Sequence, residues 1–123
     1  MSVAFNHTIV WCRDQQRSAT FLAELLERAE PHRMGPFLGV ELDNGVTLDF
    51  DEMGDEPFPV QHLAFLVDLG VFERAYGKLQ SRGVEHWADP GRTQSGKTYE
   101  HDRDRGFYFL DPDGHLLELI SRS

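Results

Sequence analysis

Two histidines and two carboxylates recur at matching places along this chain: His7 in FNHTIV, His62 in VQHLAF, Asp49 in DNGVTLDF and Glu118 in PDGHLLEL. Imidazole nitrogen and carboxylate oxygen together suit divalent first-row metals, and two histidines with one carboxylate form the facial triad that leaves open positions on iron(II). Taken singly, Glu118 between Leu117 and Leu119, or Asp49 between Leu48 and Phe50, is explained by the outward position of an alternating strand. Taken as a repeated set they favour a site, because a duplicated fold arranges equivalent residues about a pseudo-twofold axis. The other histidines divide. His32 and His86 lie near element ends in polar company and His115 occupies a hairpin turn, so all three read as solvated surface. His101 differs, lying near the end of a long polar segment, seven residues ahead of Tyr108 and on the stretch that leads to Glu118. Cys12 has the opposite strand parity to His7 and reads as packing or surface rather than ligation. Trp11 and Phe5 share His7's parity, which suits a pocket wall and a packed core equally well.

The elements that must position these groups come in two similar sets. Residues 3–12 are rich in β-branched and aromatic side chains and read as a strand. Between residues 17 and 29, Phe21, Leu22, Leu25 and Leu26 mark one helical face, with Asp14 or Ser18 as cap and Pro31 beyond the end. A short strand at residues 32–34 is expected, then strands at 37–42 and 46–51 joined by Asp43-Asn44-Gly45. Residues 52–59, EMGDEPFP, have the composition of a connection. Beyond them the order repeats: a strand at 60–68, then a helix carrying Val71, Phe72, Ala75, Tyr76 and Leu79 that stops at Gly83. A short strand at 84–87, the polar loop 89–105 and a hairpin of strands 106–110 and 115–120 complete the second half. His7 and His62 are 55 residues apart and Asp49 and Glu118 are 69 apart, so the second half carries a 14-residue insertion, most naturally that loop. Two copies at so long a period argue duplication rather than a solenoid. Loops of that length are more often functional than idle.

A chain of 123 residues is one domain's worth, here built as module 1 at about 1–52, a linker at about 53–59 and module 2 at about 60–123. Apolar residues at 40% supply a core, and a net charge of −9 repels phosphate backbones and anionic membranes, so neither nucleic acid nor a membrane is an expected partner. No apolar run approaches the roughly 18 residues a membrane helix needs. With one cysteine and no leader-like start, a reducing cytoplasm is the expected compartment.

These motifs resemble the vicinal oxygen chelate superfamily, which includes glyoxalase I, bleomycin-resistance proteins, fosfomycin-resistance enzymes and type I extradiol ring-cleavage dioxygenases. The resemblance runs from FNHTIV to GHLLELI. It implies an α+β fold of two βαβββ modules whose mixed sheets curve into an open cup with the helices outside. It also implies metal ligands at His7, His62 and Glu118. Asp49 corresponds to a fourth carboxylate of glyoxalase I; with one methylene fewer than glutamate, it is expected beside the metal rather than on it. The segment His101, five residues, Phe107-Tyr108, two residues, Asp111-Pro112-Asp113-Gly114, three residues, Glu118 resembles the extradiol dioxygenase pattern, although Tyr99 stands where that pattern prefers a small, Asn or β-branched residue. By that resemblance His101 would shuttle a proton and Tyr108 would hydrogen-bond a catechol-like substrate, with iron(II) as cofactor and manganese, nickel or zinc as alternatives. A homodimer acting on a small molecule is expected. A glyoxalase-like lyase or isomerase with Asp49 as fourth ligand, and a binding protein for a cationic drug, are the other readings.

Overall fold

The computed structural model describes residues 2–122 and divides into two compact units, one ending at Pro59 and the other starting at Val60. The first unit runs β1 (His7–Cys12), α1 (Gln15–Leu25), β2 (His32–Met34), β3 (Phe37–Glu41), β4 (Thr47–Glu52). Its four strands form one mixed sheet in the order β1-β4-β3-β2, parallel only between β1 and β4. The second unit runs β5 (His62–Asp68), α2 (Leu69–Ser81), β6 (His86–Trp87), β7 (Tyr99–His101), β8 (Asp104–Leu110), β9 (Leu116–Arg122). Its sheet has the order β5-β9-β8-β6, again parallel only between the first and last strands, with β7 also on β8. The architecture is α+β, two βαβββ units with open mixed sheets. Among the described residues no helix is long and apolar enough to cross a membrane.

Each helix starts on an aspartate and covers one face of its own sheet. The Asp14 carboxylate accepts the Arg17 N–H at 3.2 Å and that of Asp68 accepts the Val71 N–H at 2.8 Å, each filling one of the orphan donors of a first turn. Ala19, Leu22, Ala23 and Leu25 are buried as α1 packs on β3 and β4, while Phe72, Ala75 and Leu79 are buried as α2 packs on β5 and β9. The Phe107 ring meets Phe72 and Tyr76, each at 5.3 Å between centroids, so the odd-numbered face of β8 belongs to the helix side. The expected first helix is too long. It stops at Leu25 because Glu27 adopts a φ of 57° and the Arg28 N–H turns back to the Ala23 carbonyl at 2.8 Å, the same ending that Gly83 gives α2. The first strand is also shorter than expected, since pairing with β4 begins at His7 opposite Thr47.

The insertion resolves into a split strand. In the first unit His32 and Met34 of β2 pair with Gly39 and Phe37 of β3; in the second Trp87 of β6 and Tyr99 of β7 pair with Tyr108 and Gly106 of β8. Strands β6 and β7 therefore share the edge that β2 holds alone, with residues 88–98 looped out between them. That loop is held by its own bonds, the Asp89 carboxylate accepting from the Thr93 N–H, the Thr93 hydroxyl and the Gln94 N–H. The hydroxyl of Thr93 and the Gln94 N–H hold this carboxyl below the ordinary range of an aspartate.

Candidate metal centre

In the second unit His62 begins β5 opposite Leu116, and two residues on Ala64 lies opposite Glu118. Strand alternation sets His62 and Glu118 on one face, and the distance from His62 Nε2 to Glu118 Oε1 is 3.3 Å. The other ring nitrogen decides what that contact means. His62 Nδ1 lies 2.9 Å from the Leu116 carbonyl oxygen, which accepts hydrogen bonds and cannot donate them, so Nδ1 carries a proton and donates it. In the neutral ring Nε2 then presents a lone pair to a carboxylate oxygen. Two electron-pair donors this close call for a cation between them, either a proton on Nε2 or a metal ion.

Two phenols complete the surroundings of Glu118. Tyr108 lies opposite it on β8, with its ring stacked on His62 at 6.0 Å between centroids. The Tyr99 hydroxyl donates to Glu118 Oε2 at 2.5 Å, so Oε2 is taken and Oε1 is the oxygen turned to His62. Burial first, then the hydrogen bond to Glu118 and its charge, push the Tyr99 phenol well above its usual range; burial, then the Glu118 charge and a hydrogen bond to that carboxylate, push Tyr108 upward too. Both are therefore protonated donors at neutral pH. Tyr99 reaches the carboxylate by lying across Gly106: a Cβ there would stand 2.3 Å from the Tyr99 ring and hydroxyl. Glu118 is sunk, its side chain 11% exposed, while that of His62 is 49% exposed, so one end of the pair is open to ligands.

The first unit carries the equivalent positions with different neighbours. His7 lies opposite Thr47 and Ile9 opposite Asp49, the same grid that holds His62 and Glu118. His7 Nδ1 lies 2.8 Å from the Asn6 side-chain oxygen, which accepts its proton and leaves Nε2 as the donor of an electron pair. Asp49 is buried, and among the described residues its Oδ1 has no hydrogen-bond partner. No group of three or more His, Cys, Asp or Glu side chains is gathered closely enough to hold a metal among the described residues; the second unit contributes His62 and Glu118 as a pair.

A family model for the glyoxalase/bleomycin resistance protein/dioxygenase superfamily matches residues 4–119. The chain belongs to this vicinal oxygen chelate superfamily. Glutathione transferase FosA of Serratia marcescens is 34% identical over 125 residues, covering 97% of this chain and 81% of that protein. The solved structure of oxidase ChaP-H1 is 46% identical with a TM-score of 0.94, covering 99% of this chain and 98% of that one. That of oxidase ChaP-H2 is 41% identical with a TM-score of 0.94, covering 100% and 96%.

The remaining histidines of this superfamily member divide, and two of them depart from expectation. His101 ends β7, two residues beyond Tyr99 and further from Glu118 along the sheet; its side chain is 84% exposed and its Nε2 is 3.6 Å from Asp102 Oδ2. It is not among the side chains gathered around Glu118. His86 and His115, expected at the surface, are both buried. His86 Nε2 is bonded to the Tyr76 hydroxyl at 3.0 Å, and burial lowers its proton affinity, so it packs as a neutral ring. Cys12 is buried among the core residues of its unit. Tyr99 is the residue that sequence reasoning passed over, and its signal was Gly106, the lone glycine in the aromatic strand RGFYFL, which marks close approach by another group.

Proposed function

We propose that this protein is a divalent-metal-dependent enzyme that uses dioxygen to oxidise an aromatic substrate bearing two adjacent oxygens, with extradiol-type ring cleavage as the reaction. The observation that carries this reading is the His62 to Glu118 approach, in which a fixed Nδ1–H leaves Nε2 and a carboxylate oxygen aimed at one cation. His7, His62 and Glu118 are the proposed ligands and iron(II) the proposed metal; two imidazoles and a carboxylate suit it and leave positions open. Once bound, such a cation lowers the pKa of a coordinated hydroxyl and brings the reactants together. The chain does the rest. Tyr99 holds Glu118 Oε2, which reserves Oε1 for the metal and fixes the carboxylate's orientation. Tyr108, stacked on His62, protonated at neutral pH and hydrogen-bonded to Glu118, would turn its one hydroxyl donor to a substrate oxygen on which negative charge grows once that carboxylate is bound to metal. Asp49 is proposed to act beside the metal rather than as a ligand, and the expected proton-shuttle role of His101 is kept as a proposal for this exposed hairpin tip. The word oxidase in the names of two relatives at 46% and 41% identity supports the use of oxygen. A cytoplasmic homodimer is the proposed setting.

The glutathione transferase relative supports a second reading, transfer of a thiol to an electrophile at the same metal. Metal analysis of protein purified without added metal, then oxygen uptake with a panel of catechols after anaerobic iron(II) loading, separates the two. Substrate-dependent uptake that disappears in Glu118→Gln is expected. No uptake with any catechol, together with glutathione consumption in the presence of a small electrophile, would replace the oxidase reading with the transferase one.

A further inference from the structure

His115 has no solvent-accessible surface, yet it belongs to a hairpin turn, where an imidazole would ordinarily be solvated. Its ring is there as an acceptor. Gln61 donates its backbone N–H to His115 Nδ1 at 2.9 Å, so Nδ1 is unprotonated and the ring is neutral. From that bond a chain of contacts runs to the candidate metal pair. The Leu116 N–H donates to the Gln61 carbonyl at 2.9 Å, the His62 Nδ1–H donates to the Leu116 carbonyl at 2.9 Å, and His62 Nε2 faces Glu118. The other end of the chain is anchored as well, since the Asp111 carboxylate accepts the N–H groups of both Asp113 and His115 at 2.9 Å. His115 touches neither Glu118 nor the open end of His62 in this arrangement; it fixes the backbone against which His62 is oriented.

The first unit serves as an internal control. Val46 closes its hairpin turn as His115 does in the second unit, with Leu42 and Asp111 donating to the two carbonyls, and Thr47 bonds Asn6 as Leu116 bonds Gln61. With valine in place of the imidazole, His7 is oriented by another device, the side chain of its own neighbour Asn6. We propose that His115 is a positioning residue whose ring, by holding the Gln61 N–H, sets the rotamer and the Nδ1–H tautomer of His62 for binding a divalent metal. The metal half of this inference rests on the reading of His62 and Glu118 given above.

The test uses ¹⁵N-labelled full chain as wild type, His115→Asn and His115→Val. The ring nitrogen shifts of His62 are read first without metal, then Mn²⁺ affinity is measured by calorimetry alongside thermal stability. Asn offers a carboxamide oxygen near the position of Nδ1, so it should keep a single Nδ1–H tautomer and an Mn²⁺ affinity within about threefold of wild type. Val removes the acceptor, so the His62 nitrogens should show mixed tautomers and affinity should fall about 10–100-fold, as for other groups that orient a metal-bound histidine. Should His115→Val not fold, His115→Gln, whose carboxamide reaches past the Nδ1 position, takes its place with the same expectation. A single His62 tautomer and unchanged affinity in Val or Gln would overturn the proposal, as would an Asn variant that folds yet behaves like Val. A wild type that binds no Mn²⁺ would instead overturn the metal reading, while the nitrogen shifts still decide whether His115 positions His62.

Discussion

The two units lay nearly the same strands on the same register and use them for different chemistry. Each begins its sheet with a histidine two residues ahead of the position opposite a carboxylate, His7 and Asp49 in one, His62 and Glu118 in the other. Around that shared grid the neighbours diverge: Gly39 stands across from Asp49 where Tyr108 stands across from Glu118, and Met34 and Phe37 hold the places of Tyr99 and Gly106. The second carboxylate is buried and satisfied by a phenol, whereas the first is buried with one oxygen unpartnered among the described residues. Leaving a buried acceptor unpaired costs about 1–3 kcal/mol, more for a charged one, so Asp49 is a liability to its own unit unless it serves something outside it. The two units share the backbone grid and the two donor positions, while the more elaborate polar surroundings belong to the second. His86, Asp89, Tyr99, Tyr108 and Asp111, whose proton affinities are displaced, all belong to that second unit.

The largest way to break the comparison is to remove each carboxylate in turn. Glu118→Ala should weaken iron(II) or manganese binding by at least about 10³-fold, and Asp49→Ala by less than about tenfold, as titration calorimetry would show. Equal losses would make the two acids equivalent ligands and favour the glyoxalase-like reading. Next, Tyr108→Phe should keep its metal and lose about 10²–10³ in turnover, the cost of one donor to developing charge, and His101→Ala should keep its metal and lose about 10²-fold as the proton shuttle goes. If His101→Ala stays within about threefold of wild type, the exposed hairpin tip works outside the site. A glycine pair sharpens the contrast in packing. Gly106→Ala forces a Cβ into the Tyr99 ring and should cost about 1–3 kcal/mol in denaturant unfolding; Gly39→Ala meets Met34 Sδ at 3.1 Å and Thr47 Cγ2 at 3.2 Å, contacts relieved by shifts of a few tenths of an ångström, and should cost less than Gly106→Ala.

The smallest effect is on pH dependence. Tyr99 is raised in the folded state, so above about pH 10 the unfolded chain releases its proton first, the folded state binds more protons, and stability falls as pH rises. His86 is lowered, so below about pH 6.5 the unfolded chain takes up its proton first, and stability falls as pH falls. Tyr99→Phe should flatten the alkaline limb and His86→Gln the acid one, with denaturant midpoints measured across both ranges; unchanged limbs would deny these groups the role.

Most of the grid was legible in the sequence because strand parity is a strict rule. His62, Glu118 and Tyr108 share a face for the same reason that Phe107 and Phe109 do not, and the aspartate caps mark where each helix starts. What escaped depends on side chains that reach across strands or on backbone conformations with no residue to announce them. Tyr99 meets Glu118 from the far side of β8, a diagonal contact that needs Gly106 and cannot be read from spacing along one strand. The end of α1 relies on Glu27 at a positive φ, where the expected signal is glycine. His115 looked solvated because turns usually are, whereas its buried ring accepts the Gln61 N–H. The insertion was legible as the polar loop 89–105, but spacing gave no sign that residues 99–101 of it return to the sheet as β7 and split the edge strand.

Iron K-edge X-ray absorption of anaerobically loaded protein tests the central claim most directly, because it counts imidazoles on the metal. The expected result is one iron per chain with two imidazoles and oxygen donors at about 2.0–2.2 Å, falling to one imidazole in His62→Ala. Iron without imidazole scattering, or an imidazole count that His62→Ala leaves unchanged, would contradict the assignment of His62 and Glu118 as a metal-binding pair.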